Sequence, residues 1–330
     1  MSISADLLKK EDLRSRLFGE TWRTLIPEVF RDVPSYYDKG NAFASLGHCS
    51  RWSSTFAAAV GRHLPRGANV LDVCSGTHDI PLRLLAVDPS LEIHAVDGSV
   101  HMTEEGQRRA RERNLAIHAR VCDAHTLPFA HDSFDAVTLQ FASRHLEIIR
   151  AFKEIYRVLK PGGIFCHNDM LRPASRVVEA PYLAYLRCSV SLTAKVFGSS
   201  AESMKCVGYF ANAIRHFYPP RELDELLTGV GFDVIESRSF LTGVMSYHVA
   251  RKPAAAARSN LRSPRTRNRR AMLPPLAEVV IGSVAVDYSL CPFFSNLVPV
   301  ALRGPPPAGL TWQKPHAFLV CAAYAGVAAA

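Results

Sequence analysis

Thirty-nine lysines and arginines against thirty acids give this chain of 330 residues a net charge of +9, and 48% of its residues are hydrophobic. That length and composition hold one large α/β domain with ample core plus an appendage, and exclude a disordered or fibrous protein. Eight scattered cysteines without a Cys-x-x-Cys pair exclude a disulfide framework and a cysteine-bound metal, so reduced thiols and a cytoplasmic compartment are expected.

The N-terminus has no apolar signal core, and Asp6, Glu11 and Asp12 argue against an acid-poor transit peptide. Residues 5–60 read as helical, with Leu13, Leu17, Trp22, Leu25, Ile26 and Phe30 at helical spacing and a break at Pro34. The patch Tyr36-Tyr37-Asp38-Lys39-Gly40-Asn41, with Ser45, Gly47, His48 and Trp52, mixes aromatic, hydroxyl and imidazole groups. A cap over an active site and an ordinary helix pair fit it equally well. Residues 1–66 are therefore set apart as an N-terminal helical cap.

From residue 68 strands and helices alternate: strand 68–74, helix 79–87, strand 92–97, helix 99–113, strands 116–122 and 133–141, helix 145–159, strand 163–170. The alternation predicts an α/β fold, a doubly wound, mostly parallel, Rossmann-like sheet over 67–253 whose ligand lies at the carboxyl ends of the strands. Asp72, Asp97, Asp123 and Gln140 fall at or near those ends.

The first strand runs through Val70-Leu71-Asp72-Val73-Cys74 into the turn Ser75-Gly76-Thr77-His78 and straight into a helical pattern. Unpaired N–H groups at a helix start hold anionic groups, and glycine lets a ligand approach the main chain. Asp97 ends the next strand 21 residues after Gly76, where a carboxylate accepts ribose hydroxyls. The second and third glycines of a dinucleotide fingerprint are replaced by His78 and Pro81. A ribose site without a pyrophosphate site points to S-adenosylmethionine.

Helix 145–159 carries Ile148, Phe152, Ile155, Tyr156 and Leu159 on one face and stops at Lys160-Pro161-Gly162-Gly163, a turn into the next strand. Segment 174–217 mixes aromatic and aliphatic residues without an uninterrupted apolar span; it reads as a lid or as extra core. Residues 254–275 are a basic Pro/Ala/Arg-rich linker. No aromatic residues interleave with its arginines, so no nucleic acid is expected. The apolar tail 276–330 suggests no specific role.

Tyr37-Asp38-x-x-Asn41 with Ser45, Gly47 and Trp52, Val70-Leu71-Asp72-Val73 with Gly76-Thr77 and Asp79, Leu127-Pro128-Phe129, Phe134-Asp135-Ala136-Val137 and Arg157-Val158-Leu159-Lys160-Pro161-Gly162-Gly163 occur in an order that resembles the ubiquinone/menaquinone biosynthesis C-methyltransferases. Gly208-Tyr209-Phe210, Phe217-Tyr218-Pro219, Gly231-Phe232 and Leu241-Thr242-Gly243-Val244 resemble that family's C-terminal half, and the similarity spans roughly residues 28–253. Two departures stand out. His78 replaces a glycine, and Arg144-His145 replaces an arginine-asparagine pair. A β-carbon at 78 is expected to crowd the methionine part of the cofactor.

The resemblance implies a seven-stranded class I methyltransferase that C-methylates a demethylated polyprenyl quinol, with peripheral contact at the inner face of a membrane. Rivals are another small-molecule acceptor, or a degenerate fold that binds a lipid or protein partner. Gly76 and Thr77 would face the methionine moiety, Asp97 the ribose and Asp123-Ala124 the adenine edge, with Asp72 beside them. Gln140 would lie near the transfer axis. Met102 would stack on adenine or belong to the core. In-line methyl transfer needs no metal. Arg144 is the candidate stabiliser of a phenolate, though an arginine at a strand end is also an ordinary ion-pair former; His48 and His145 are candidate bases.

Overall fold

The computed structural model describes residues 2–254. The linker beyond residue 254, the tail 276–330 and two of the cysteines, Cys291 and Cys321, lie outside the described residues. Four helices open the chain: α1 (Ala5–Arg23), α2 (Leu25–Asp32), α3 (Tyr37–Ala44) and α4 (His48–Gly61). Ser4 caps α1 by accepting from the Leu7 N–H. The expected break at Pro34 falls between α2 and α3.

Then follow β1 (Asn69–Val73), α5 (Asp79–Val87), β2 (Glu92–Asp97), α6 (Val100–Glu112), β3 (His118–Val121), β4 (Phe134–Gln140), α7 (Ile148–Val158) and β5 (Leu159–Met170). The chain continues through α8 (Arg176–Val196), α9 (Ala201–Arg215), α10 (Pro220–Val230), β6 (Asp233–Phe240) and β7 (Met245–Arg251). The seven strands lie in the order β3-β2-β1-β4-β5-β7-β6. All neighbours are parallel except β7, which runs antiparallel to both β5 and β6. The order reverses between β1 and β4, and at such a switch point the loops diverge and leave a crevice above the carboxyl ends.

Helices cover both faces, so the central strands are apolar on both sides. Val70, Ala136 and Ile164 face one core with Phe56 and Leu84, while Leu71, Val137 and Phe165 face the other with Phe152 and Ile155. In α7 the i, i+3, i+4 spacing buries Ile148, Ile149, Phe152, Ile155 and Val158. Each such side chain contributes about 1.5–3 kcal/mol by leaving water.

The Lys160-Pro161-Gly162-Gly163 run is an irregularity inside β5 rather than a turn ahead of it. Phe134 pairs with Leu159 but Ala136 pairs with Ile164, so the extra residues bulge out of the ladder. A β-carbon on Gly163 would sit 2.9 Å from the Lys160 carbonyl oxygen and 3.0 Å from that of Asp135. Only glycine fits there.

Above the crevice, α1 and α2 pack on α9 through Phe18, Ile26, Val29, Cys206 and Tyr209. Leu183 and Leu186 of α8 close on Ala211 and Ile214 of α9. Segment 176–215 is thus a helical pair joined to the N-terminal helices in one layer. Among the described residues no helix is long and apolar enough to cross a membrane.

Candidate active site

The turn after β1 carries the strain of the site. Cys74 (φ 54°), Gly76 (φ 52°) and His78 (φ 61°) lie in the left-handed region, as does Phe141 (φ 57°) after β4. Non-glycine residues there cost about 1–3 kcal/mol each and concentrate where a ligand site demands them. The Gly76 N–H donates to Asp97 Oδ2 at 2.8 Å, and the Ser99 N–H donates to Oδ1 at 2.8 Å. Asp97 is thereby fixed at the tip of β2, with lone pairs left on both oxygens for ribose hydroxyls. Burial raises its pKa, against the pull of the backbone hydrogen bonds from Ser99, Gly76 and Gly98.

A cleft opens beside this turn, lined by Asp72, Cys74, Ser75, Gly76, Thr77, Asp79 and Ile80, by Gln140 and Phe141 at the end of β4, and by Tyr37, Asp38, Asn41, Cys49 and Ser53 from the cap. The lining holds three carboxylates and neither lysine, arginine nor histidine. Such a lining gives a pyrophosphate no cationic partner. S-adenosylmethionine, whose sulfonium and ammonium are both cationic, fits this donor set. Burial pushes the Asp72 carboxyl up to about 7, against hydrogen bonds from Ser75 and Thr138.

The aromatic and polar patch of the cap does sit over the strand ends. Asp38 accepts from the Thr77 hydroxyl at 3.1 Å and pairs with Arg109 of α6 at 2.5 Å, while Arg109 also donates to the Thr77 carbonyl at 2.9 Å. This clamp ties α3 to the glycine turn.

Arg144 lies beyond β4 in the short turn Ser143–His145, almost fully buried and ion-paired with Asp169 at the end of β5. Burial, the largest single influence, works against its charge, but Asp169 together with Tyr37, Tyr209 and Tyr182 outweighs it and the pKa is raised. Burial lifts the Tyr37 hydroxyl to about 12, against the Asn41 hydrogen bond and the Arg144 charge. The guanidinium is therefore felt inside the cleft that Tyr37 lines. Around it, Arg144 Nε, Tyr182 Oη and His145 Nε2 are buried without hydrogen-bond partners among the described residues. Unsatisfied buried donors of this kind call for an acceptor.

His145 is held by Tyr209, whose hydroxyl lies 2.6 Å from Nδ1 and accepts from Trp22 Nε1 at 2.9 Å. With the Tyr209 proton directed at Nδ1, Nε2 carries the imidazole hydrogen. Burial, with Arg144 and Arg14 nearby, holds its pKa well below the usual histidine range and keeps the ring neutral. In that tautomer His145 offers a donor at Nε2. His48 stacks on Trp52 with ring centres 5.9 Å apart and does not line the cleft. Asp123 caps its own loop, accepting from the His125 N–H at 2.9 Å, beside buried Ala124. Gln140 exchanges weak hydrogen bonds with Ser53, and Met102 is buried against Gly76.

Sequence reading named Asp38 only as part of the cap patch, and missed Asp169 and Tyr182 as site residues. Asp169 ends a strand, so the reasoning that selected Asp97 applies to it as well. Tyr182 gave no signal, because the rotation of α8 is set by packing alone. Glu11 and Arg14 were missed too, since an i, i+3 pair on a helix reads as a surface ion pair. Here Arg14 is buried and donates to the carbonyls of Arg144 at 3.2 Å and Leu146 at 3.4 Å.

His78 does not crowd the cleft, as its sequence position suggested it would. Its ring is fully buried against α6, Nδ1 lies 2.9 Å from Ser75 Oγ, and a β-carbon on Gly106 would meet the ring at 2.5 Å. The missing side chain at 106 makes the slot. Burial, then the Arg109 charge, lowers the His78 pKa to about 4. Gly106→Ala is therefore expected to lower stability by about 1–3 kcal/mol through overpacking. In the His78→Gly background the same change should cost less, with a coupling of about 0.5–3 kcal/mol in denaturant melts. Additive costs would show that the two positions do not share the slot.

Residues 19–252 match the ubiE/COQ5 methyltransferase family. A demethylmenaquinone methyltransferase of Geobacillus sp. (strain WCH70) is 30% identical over 233 residues, covering 69% of this chain and 96% of that protein. One from Staphylococcus haemolyticus (strain JCSC1435) is 32% identical over 226 residues, covering 68% and 92%. The ubiquinone/menaquinone biosynthesis C-methyltransferase UbiE of Desulfotalea psychrophila (strain LSv54 / DSM 12343) is 28% identical over 224 residues, covering 68% and 88%. With the match spanning the glycine turn, the acid-lined cleft and the whole sheet, the chain belongs to the ubiE/COQ5 methyltransferase family.

Proposed function

We propose that the protein methylates a ring carbon of a demethylated polyprenyl quinol, in quinone biosynthesis. The observation that carries this reading is the three buried donors without partners among the described residues, Arg144 Nε, Tyr182 Oη and His145 Nε2, with the Arg144 charge acting on Tyr37 of the cleft lining. A phenolic oxygen satisfies such donors, and Arg144 stabilises the negative charge it develops when it activates the ring carbon. When bound, S-adenosylmethionine supplies an electrophilic methyl group. Asp97 would hold its ribose, Asp123 and Ala124 its adenine edge, and Asp72, Gly76 and Thr77 its methionine end. The protein's part is to align the two reactants and exclude water.

A polyprenyl acceptor resides in a bilayer, and the outer surface of the cap suits one. Phe43 and Leu46 at α3 and Leu192 and Val196 of α8 are exposed, and these two helices pack together through Phe43 and Phe197 at 6.1 Å. Lys39 and Lys195 are exposed on the same helices and would face anionic headgroups. The test is product mass with a panel of demethylated quinols presented in lipid vesicles. A gain of one methyl group on a quinol supports the reading, and methylation only of water-soluble phenols counts against it.

A further inference from the structure

C-methylation of a quinol releases one proton, and Asp169, next to Arg144, is completely buried. A line of polar groups nevertheless runs from it along the sheet face beneath α7 and α10. Ser143 Oγ donates to Asp169 Oδ2 at 2.5 Å and lies 2.8 Å from His167 Nε2. His167 of β5 is the direct cross-strand partner of His248 of β7, with ring centres 5.7 Å apart. His248 Nδ1 lies 2.7 Å from Asp224 Oδ1 of α10 and 3.2 Å from Ser237 Oγ of β6. Both histidines and Ser143 are fully buried, while the Asp224 side chain is 32% exposed. Phe152 and Phe165 enclose His167 on its other sides.

Hydrogen counting makes this line more than a set of contacts. With Asp169 ionised, the single Ser143 hydroxyl hydrogen goes to the carboxylate, so His167 Nε2 must donate to Ser143 and its Nδ1 is bare. With Asp224 ionised, His248 donates through Nδ1 and its Nε2 is bare. In these two rings, His167 Nδ1 and His248 Nε2 are the buried nitrogens without partners among the described residues. Two acceptors cannot satisfy one another; a proton added at Asp169 resolves the conflict. With the His167 hydrogen moved from Nε2 to Nδ1, Asp169 donates to Ser143, Ser143 to His167 Nε2, His167 Nδ1 to a water that bridges to His248 Nε2, and His248 Nδ1 to Asp224. Every group in the line has a partner.

We propose that Ser143, His167 and His248, with one water between the two rings, conduct the reaction proton from Asp169 to Asp224 and so to solvent. This rests on the quinol reading of the site. The quinol hydroxyl gives its proton to Asp169 while Arg144 holds the resulting oxyanion. The carbon–sulfur bond breaks as the carbon–carbon bond forms, the displaced ring hydrogen returns to the oxygen, and the hydroxyl proton leaves along the line. Burial, then the neighbouring His248, depresses the basicity of His167, which suits a group that passes protons on without keeping them.

Two near-isosteric substitutions separate conduction from packing. His167→Gln keeps a donor where Nε2 meets Ser143, and His248→Asn keeps a donor where Nδ1 meets Asp224, but neither side chain relays a proton. Each variant is expected to lose at least ten-fold in kcat, to keep its KM values and melting temperature, and to gain a solvent deuterium isotope effect. Unchanged kcat, or a loss of kcat only in step with affinity and Tm, overturns the proposal. A second arm needs no acceptor: ring-nitrogen NMR of the full chain, in which Asp224→Asn should shift the His167 signals through His248. Unmoved His167 signals also overturn it. Wild-type protein that methylates no quinol, with the NMR response intact, would count against the acceptor and not against the line.

Discussion

Arg144→Ala is expected to slow single-turnover methyl transfer by about 100- to 1,000-fold while S-adenosylmethionine affinity stays within about two-fold, because the guanidinium acts on the acceptor oxygen as charge develops. The ion pair with buried Asp169 adds a second effect. Removing one partner of such a pair costs about 3–5 kcal/mol, so the alanine variant should also melt earlier. Arg144→Lys separates the two. Lysine keeps a cation opposite Asp169 and should recover most of the stability, but it lacks the planar fork that reaches the oxygen, so the rate should stay low. A lysine variant with wild-type turnover would reduce Arg144 to a structural counterion.

The second large effect is expected at Arg14. Its side chain pairs with Glu11 at 2.5 Å, stacks over Phe217 at 4.8 Å and holds the carbonyls of the Arg144 turn. Glu11 in turn accepts from the Ile148 N–H at 2.7 Å and from the Tyr218 hydroxyl at 2.9 Å. Arg14→Ala should cost about 3–5 kcal/mol and lower Tm by roughly 10 °C. It should lower turnover at temperatures where the protein remains folded, since the Arg144 turn loses its tether. A Tm within 2 °C of wild type would show that the clamp is dispensable. Arg14 and Glu11 lie ahead of residue 19, where the family match begins, while their partners lie within it.

Periodicity made the sheet legible. The apolar runs 68–74, 92–97 and 133–141 located β1, β2 and β4 to within a residue at each end, because strands buried on both faces tolerate little else. The glycine turn was legible for the same reason: its backbone needs φ above zero and a close approach. What escaped was set by packing between distant segments. His78 looked like an obstacle because Gly106, 28 residues away, gives no sign in sequence that it empties a slot. Arg14 and Glu11 looked like a surface pair until α1 was laid across the Arg144 turn. His167 and His248 are 81 residues apart and become neighbours only because β7 returns antiparallel against β5.

The central claim is transfer of a methyl group from S-adenosylmethionine to a quinol ring carbon. It is tested most directly by incubating the full chain with trideuteromethyl S-adenosylmethionine and vesicle-borne demethylmenaquinol, then locating the label in the product by NMR. The account predicts one trideuteromethyl group on the quinol ring carbon, with both hydroxyls free. Label on oxygen, or none in the quinol while the protein still binds S-adenosylmethionine, would contradict it.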